Sequence, residues 1–281
     1  MQIGMSVYVP DLSDELLNSL RAAGFETLEI CATPKIEEEL PAMETVARVE
    51  AHGLTLTSYH LPYIPFDPWD ISAPELAPAC VRYFCEVIRR WSAVGVKYFI
   101  IHPSGEPITD EERSMRMATA VASLAAIAPV AEECGAVLCV EDLPRTNLGN
   151  CAEELLALTD AHPNLRICMD TNHFQGGDVA ECIRKVGHRI ARTHISDADS
   201  INERHWLPGE GELDWQAIYR ALCEVGYEGV WLYECGLDRP TTIIRERDLT
   251  PSDIVNNACE IFRGDAPTRF GTPKPGIGMW E

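Results

Sequence analysis

The stretch LRICMDTNHFQGGDVAECIRKVGHRIARTHISD, residues 165–197, holds one whole structural unit and the start of the next. Leu165–Asp170 is a short apolar run ending on a carboxylate. Ile190–Ser196 is a second such run, with His194 near its end and Asp197 just beyond. Between them a helical segment closes at Gly187, where a left-handed glycine would stop a helix. Runs this short and this apolar, alternating with helices, predict parallel strands buried on both faces. The unit recurs along the chain. Further strands are predicted at Ile3–Tyr8, Thr27–Cys31, Leu54–His60, Lys97–His102, Val137–Glu141 and Val230–Glu234, which makes eight. Gly24, Gly53, Gly95, Gly135 and Gly226 fall, like Gly187, after a helix and before a strand. Helix starts are read at Ser13, at Ser72-x-x-Glu75 (a helix running through Trp91), at Thr109-x-x-Glu112, at Asp214 and at Thr250-Pro251.

Eight such units with no break in composition predict an α/β fold, a single (β/α)8 TIM barrel over residues 1–264. A short Pro- and Gly-rich C-terminal extension, residues 265–281, follows; whether it packs on the barrel or on a second copy in a homo-oligomer is open. A chain of 281 residues suits one barrel. A doubly wound open sheet lacks its marks, since no Gly-x-Gly-x-x-Gly follows the first strand and no P-loop occurs.

Composition narrows the function. Lys and Arg number 23 against 44 Asp and Glu, a formal net charge of −21. That balance disfavours nucleic acid and anionic membranes as partners, because both demand clustered cations. Eleven cysteines, with no Cys-x-x-Cys, sit largely within apolar runs and point to a reducing cytoplasm. No signal peptide is evident, and no run of about 18 apolar residues predicts a membrane span.

In a TIM barrel the chemistry gathers at the C-terminal ends of the strands. His60 and His102 end the third and fourth strands, His173 follows the sixth, His194 lies near the end of the seventh and His205 in the loop after it. Glu141, Asp170 and Glu234 end the fifth, sixth and eighth. Charges at the ends of apolar strands are costly to bury unless paired or metal-bound. Three carboxylates and an imidazole suit one divalent ion, Mn2+, Mg2+, Co2+ or Zn2+. The loop from Leu61 to Trp69 carries three aromatics, Tyr63, Phe66 and Trp69, over the mouth as a lid that would pack on a sugar's C–H face. Asp142 and Asp197 are expected to orient ligands, Asp214 to cap a helix, and Trp91 and Trp215 to fill core. Glu203 and Glu210 read as loop charges, and Arg245 and Arg247 as solvated surface.

The runs Val140-Glu141-Asp142, Met169-Asp170-Thr171-Asn172-His173, Thr193-His194-Ile195-Ser196-Asp197, His205-x-x-Pro208-Gly209-Glu210-Gly211 and Tyr233-Glu234 resemble those of the xylose-isomerase-like barrel superfamily. The resemblance implies Glu141, Asp170, His194 and Glu234 as metal ligands, with Glu141 and Glu234 also the acid/base pair. It places His173 against the substrate; His205, His60, His102 and Trp69 are the other expected substrate contacts. The implied activity is isomerisation or epimerisation of a keto sugar or related polyol-ketone, free or phosphorylated, through a metal-stabilised enediolate. Three alternatives share the superfamily: a dehydratase of the inosose or dehydroshikimate type, a zinc-dependent abasic-site endonuclease, and a barrel that binds without catalysing. The histidine set, with Glu203, resembles the three-zinc ligands of the endonucleases, whereas the net charge and the scarcity of Lys and Arg in the loops oppose that reading.

Overall fold

Alternating side chains along each strand decide what faces the inside of the sheet. The strands are β1 (Gln2–Tyr8), β2 (Thr27–Cys31), β3 (Thr55–His60), β4 (Tyr98–Ile101), β5 (Val137–Glu141), β6 (Leu165–Asp170), β7 (Ile190–His194) and β8 (Val230–Tyr233). The computed structural model describes residues 1–63, 69–174 and 177–279. All eight strands are parallel, in the order β7-β6-β5-β4-β3-β2-β1-β8. Ile195 closes the ring: its N–H donates to the Leu232 carbonyl and its carbonyl accepts from the Glu234 N–H. This is the expected (β/α)8 barrel, with every strand within two residues of its predicted bounds.

The helices α1 (Asp14–Ala23), α2 (Pro34–Glu39), α3 (Ala42–Ala51), α4 (Ala77–Ser92), α5 (Asp110–Glu133), α6 (Ala152–Thr159), α7 (Val179–Val186), α8 (Trp215–Glu224) and α9 (Pro251–Arg263) surround the sheet. The main core lies between them and the outer strand faces, where Trp91, Trp231, Phe25, Leu17 and Leu124 are fully buried. Inside the ring a smaller cluster of Ile100, Cys139 and Cys168 fills the lower layer. Two residues further along the same strands, on the same inner face, stand His102, Glu141 and Asp170. Apolar filling below thus leaves the reactive groups at the C-terminal rim. All eleven cysteines are free thiols.

Several local expectations change. Thr109, Asp214 and Thr250 cap their helices as read. Ser72 does not: α4 begins only at Ala77 behind Leu76, without a side-chain cap, because the Ser72 hydroxyl is engaged by Asp70 and Arg116. Gly187 has φ −47°, an ordinary right-handed conformation. Its role is steric, since a Cβ there would lie 2.3 Å from Val225 Cγ1. Arg245 is buried rather than solvated, within a short strand β9 (Ile243–Arg245) that pairs antiparallel with β10 (Gly271–Pro273) of the C-terminal extension. The extension therefore lies on its own barrel over that stretch. Helix α5 is, among the described residues, the one helix long and apolar enough by length and composition to cross a membrane. Here it packs as a barrel helix, with Ala120, Leu124, Ile127, Ala128 and Ala131 buried.

Candidate metal centre and active site

Register delivers the first pair of site residues. The β6–β7 ladder shifts between Ile167 and Cys168, leaving Ala191 as the extra residue. Beyond that shift Cys168 faces Arg192 and Asp170 faces His194. Paired residues in a sheet share a face, so the bulge aims both Asp170 and His194 inward. Glu141 joins them from the end of β5 and Glu234 from just past β8.

His194 Nδ1 lies 2.8 Å from Glu141 Oε1, 3.1 Å from Glu234 Oε2 and 3.9 Å from Asp170 Oδ2. All four ligand atoms fall within 4.8 Å of one another. Ligand atoms about 2.1 Å from a common ion stand roughly 3.0 Å apart at right angles and 3.4 Å at tetrahedral angles. The spacing found here is of that size. Asp170 Oδ2 is also buried with no hydrogen-bond partner, which is costly in a protein interior and is what a bound cation would relieve. The donor set fits a divalent ion.

Electrostatics in the cluster follow from burial and proximity. Burial pushes the Glu141 carboxyl up, but His194, His102 and His60 overcome it and hold it well below the usual carboxylate range. Glu234 is likewise lowered, with His194 outweighing its burial. Asp170 goes the other way, raised well above its ordinary value by burial and by the charges of Glu234 and Glu141. For His194 and His173, burial opposes the charged form, yet the surrounding carboxylates raise both.

Above this cluster opens a cavity of about 310 Å³, a size ordinary for a small-molecule site. His60, His102, His173, His205 and Trp69, the remaining expected site residues, all line it. His60 Nε2 and His102 Nε2 lie 2.9 and 3.1 Å from Glu141 Oε2. Tyr63 stacks on His102 with ring centroids 4.2 Å apart, and Trp69 packs on Tyr83 of α4 at 4.1 Å. Phe66 of the expected lid lies outside the described residues. His173 donates from Nδ1 to the Asp142 carbonyl, and His205 from Nδ1 to the Glu234 carbonyl, at 2.8 and 3.0 Å. Both bonds leave Nε2 turned elsewhere, and Glu203 Oε2 sits 3.1 Å from that of His173.

Three residues of this region, Arg145, Arg116 and Glu29, have no counterpart in the sequence reading, and a fourth, Glu203, differs from the loop charge expected of it. Glu203 is no bystander: it contacts His173 and Arg145 and is held at about 2 by them against the effect of its burial. Arg145, in a left-handed conformation at φ 56°, also binds Glu106. Arg116 pairs with Asp70 on the cavity wall. Glu29, deep inside β2, accepts from His194 Nε2 at 2.8 Å. Its one sequence signal was a carboxylate within an otherwise apolar strand. Asp142 behaves as expected, accepting the Asp170 N–H at 2.6 Å. Asp197 touches no cluster residue. It ties down the loop after β7, accepting from the backbone of Ala198, Gly209 and Leu213 and from Trp215 Nε1. Glu210 is fully buried against Arg245.

Comparison with known proteins agrees with this architecture. The chain is 26% identical over 257 residues to a D-psicose 3-epimerase of Enterocloster bolteae, covering 84% of this chain and 82% of that one. It is 26% identical over 231 residues to a ketose 3-epimerase of Arthrobacter globiformis, covering 76% and 74%. The fold superimposes on the crystal structure of D-psicose 3-epimerase with D-tagatose from Clostridium cellulolyticum H10 with a TM-score of 0.71, at 22% identity over 86% of this chain and 87% of that chain. The family model for the xylose isomerase-like TIM barrel matches residues 17–253, so the chain belongs to that family, among relatives that are sugar epimerases.

Proposed function

We propose that the chain is a divalent-metal-dependent epimerase of an uncharged keto sugar, working by proton transfer through Glu141 and Glu234. The observation that carries this is the convergence of Glu141, Asp170, His194 and Glu234, contributed by four consecutive strands, beside a cavity on the C-terminal rim that Glu141 and Glu234 line. When bound there, a divalent ion supplies Lewis-acid polarisation of the substrate carbonyl and the neighbouring hydroxyl. Glu141 and Glu234 reach the cavity from β5 and β8, on either side of the intervening strands. One takes the proton from the carbon beside the carbonyl and the other delivers a proton to the opposite face, which inverts that centre. Tyr63 and Trp69 offer apolar ring faces to the C–H side of a sugar.

The charge of the cavity wall argues for an uncharged substrate. Among the described lining residues, Asp70, Glu106, Glu141, Glu203 and Glu234 face two guanidinium groups. Both of those are committed, Arg116 to Asp70 and Arg145 to Glu106 and Glu203. A phosphate would meet carboxylates first. The test is α-proton exchange in deuterium oxide over a panel of free and phosphorylated keto sugars with metal-loaded protein. Glu141→Gln and Glu234→Gln should each lower exchange by at least about 10²-fold while the circular dichroism spectrum stays unchanged. Normal exchange in either variant overturns the assignment, and a preference for phosphorylated sugars overturns the charge argument.

Two further side-chain groups favour a second reading. His60, Glu141 and His194 form one, and His173, Glu203 and His205 another, each compact enough to hold an ion. Such an array suits phosphodiester cleavage at an abasic site, and incubation with an abasic duplex checks it. The −21 net charge and the acidic cavity wall stand against it.

A further inference from the structure

We propose that Glu29 is a positioning residue that fixes which nitrogen of His194 faces the metal cluster; the inference rests on the metal-site reading above. Glu29 comes from β2, three strands away from β7 around the closed ring, and its side chain is fully buried. It reaches across the inside of the barrel so that Oε1 lies 2.8 Å from His194 Nε2. The His194 ring therefore stands between two sets of acceptors. Nε2 meets Glu29, while Nδ1 meets Glu141, Glu234 and Asp170.

A neutral imidazole has one N–H donor and one lone-pair acceptor. A carboxylate can only accept, so Glu29 holds the hydrogen on Nε2 and leaves the Nδ1 lone pair toward the ligand cluster. A carboxylate behind a ligating histidine also fixes the ring's orientation and raises its basicity. Nothing else explains a carboxylate at this depth. Its other contact is a long one, 3.4 Å from Ser6 Oγ, and Oε2 has no hydrogen-bond partner. A leucine there would avoid the desolvation cost of a buried charge. The carboxylate persists in spite of that cost, and its sole close contact is the back of a candidate metal ligand.

Mn2+ binding to the full chain, measured by calorimetry, tests this with three proteins. Glu29→Leu is expected to weaken Mn2+ binding by about 10–100-fold with the thermal midpoint kept or raised. Glu29→Gln, whose amide oxygen still accepts from Nε2–H, should lose less than about tenfold. In the zinc-loaded protein, nitrogen NMR of the His194 ring should show Nε2 protonated in the wild type and in Glu29→Gln, a readout that needs no folded leucine variant. Equal Mn2+ affinity in wild type and Glu29→Leu overturns the inference, as does a proton on Nδ1 or a glutamine variant as weak as the leucine one. A wild-type chain that binds no divalent ion overturns the metal reading itself. A wild type that binds, with an unaffected leucine variant, overturns only the role of Glu29.

Discussion

Glu210 and Arg245 make a sharp test of how this barrel holds its rim. The loop after β7 carries Glu203 and His205, and its far end is anchored by one buried ion pair. Arg245 Nε and Nη2 donate to the two Glu210 oxygens at 3.0 and 2.6 Å, and the side chains are 1% and 0% exposed. Glu210 Oε2 also accepts the Leu207 N–H at 3.1 Å, and Arg245 Nη1 donates to the Asp238 carbonyl at the same distance. Replacing Glu210 with leucine strands a guanidinium in the interior with one carbonyl as its acceptor. The cost of an unpaired buried charge is about 3–5 kcal/mol. For a chain of this size each kcal/mol moves the melting midpoint by roughly 2–4 °C, so the fall should be about 6–20 °C. Arg245→Met should cost a similar amount by stranding the carboxylate. The double variant Glu210→Leu/Arg245→Met removes both charges together and should return to within about 1 kcal/mol of wild type. Urea titration followed by tryptophan fluorescence gives the four stabilities of the cycle. A single variant that loses less than about 1 kcal/mol, or a double variant as unstable as the sum of the singles, refutes the reasoning.

Acid stability should carry the mark of Glu203, whose carboxyl is held at about 2 in the fold. A folded value below the unfolded one contributes stability above the unfolded value, here about 3 kcal/mol, and that contribution is lost as the pH falls through about 2. Stability measured from pH 6 down to pH 2 should fall less steeply in Glu203→Gln, and an unchanged slope refutes the assignment. Gly187→Ala should cost about 1–3 kcal/mol by overpacking against Val225, although its backbone is unstrained. Gly95→Ala has open space around it but sits at φ +103°, so it should cost about 1–2 kcal/mol from conformation alone. Denaturant unfolding of the two variants checks both.

The barrel was legible because each strand is a short apolar run and a glycine follows most of the helices that lead into a strand, signals that are local. The rim histidines and carboxylates were legible for a similar reason, being the polar residues that end those runs. What escaped was set by distance along the chain. Glu210 looks like any loop charge until Arg245, 35 residues later, is folded against it. Glu203 acquires its partners only when the loop after β7 turns back over His173. Ser72 offered a correct capping pattern, but its hydroxyl was claimed by Arg116 from α5, a competitor 44 residues away. Glu29 differs from these. Its anomaly was visible within Thr27–Cys31, but attention to strand ends passes over a carboxylate placed mid-strand.

The span of the cluster bears on how the protein assembles. The four candidate ligands Glu141, Asp170, His194 and Glu234 all come from the β5–β8 half of the barrel, whereas Glu29, behind His194, comes from β2, so the C-terminal half holds the ligands without the residue that backs one of them. Loop closure on that scale is completed only when β8 docks beside β1 and Ile195 seals the seam. An ion that binds the finished constellation and not the open chain adds its binding free energy to the whole ring rather than to a local segment. Divalent-ion affinity would then report completed ring closure: a separately expressed β5–β8 half-barrel should take up the ion about 10–100-fold more weakly than the recombined barrel, in which β2 returns Glu29 to the back of His194.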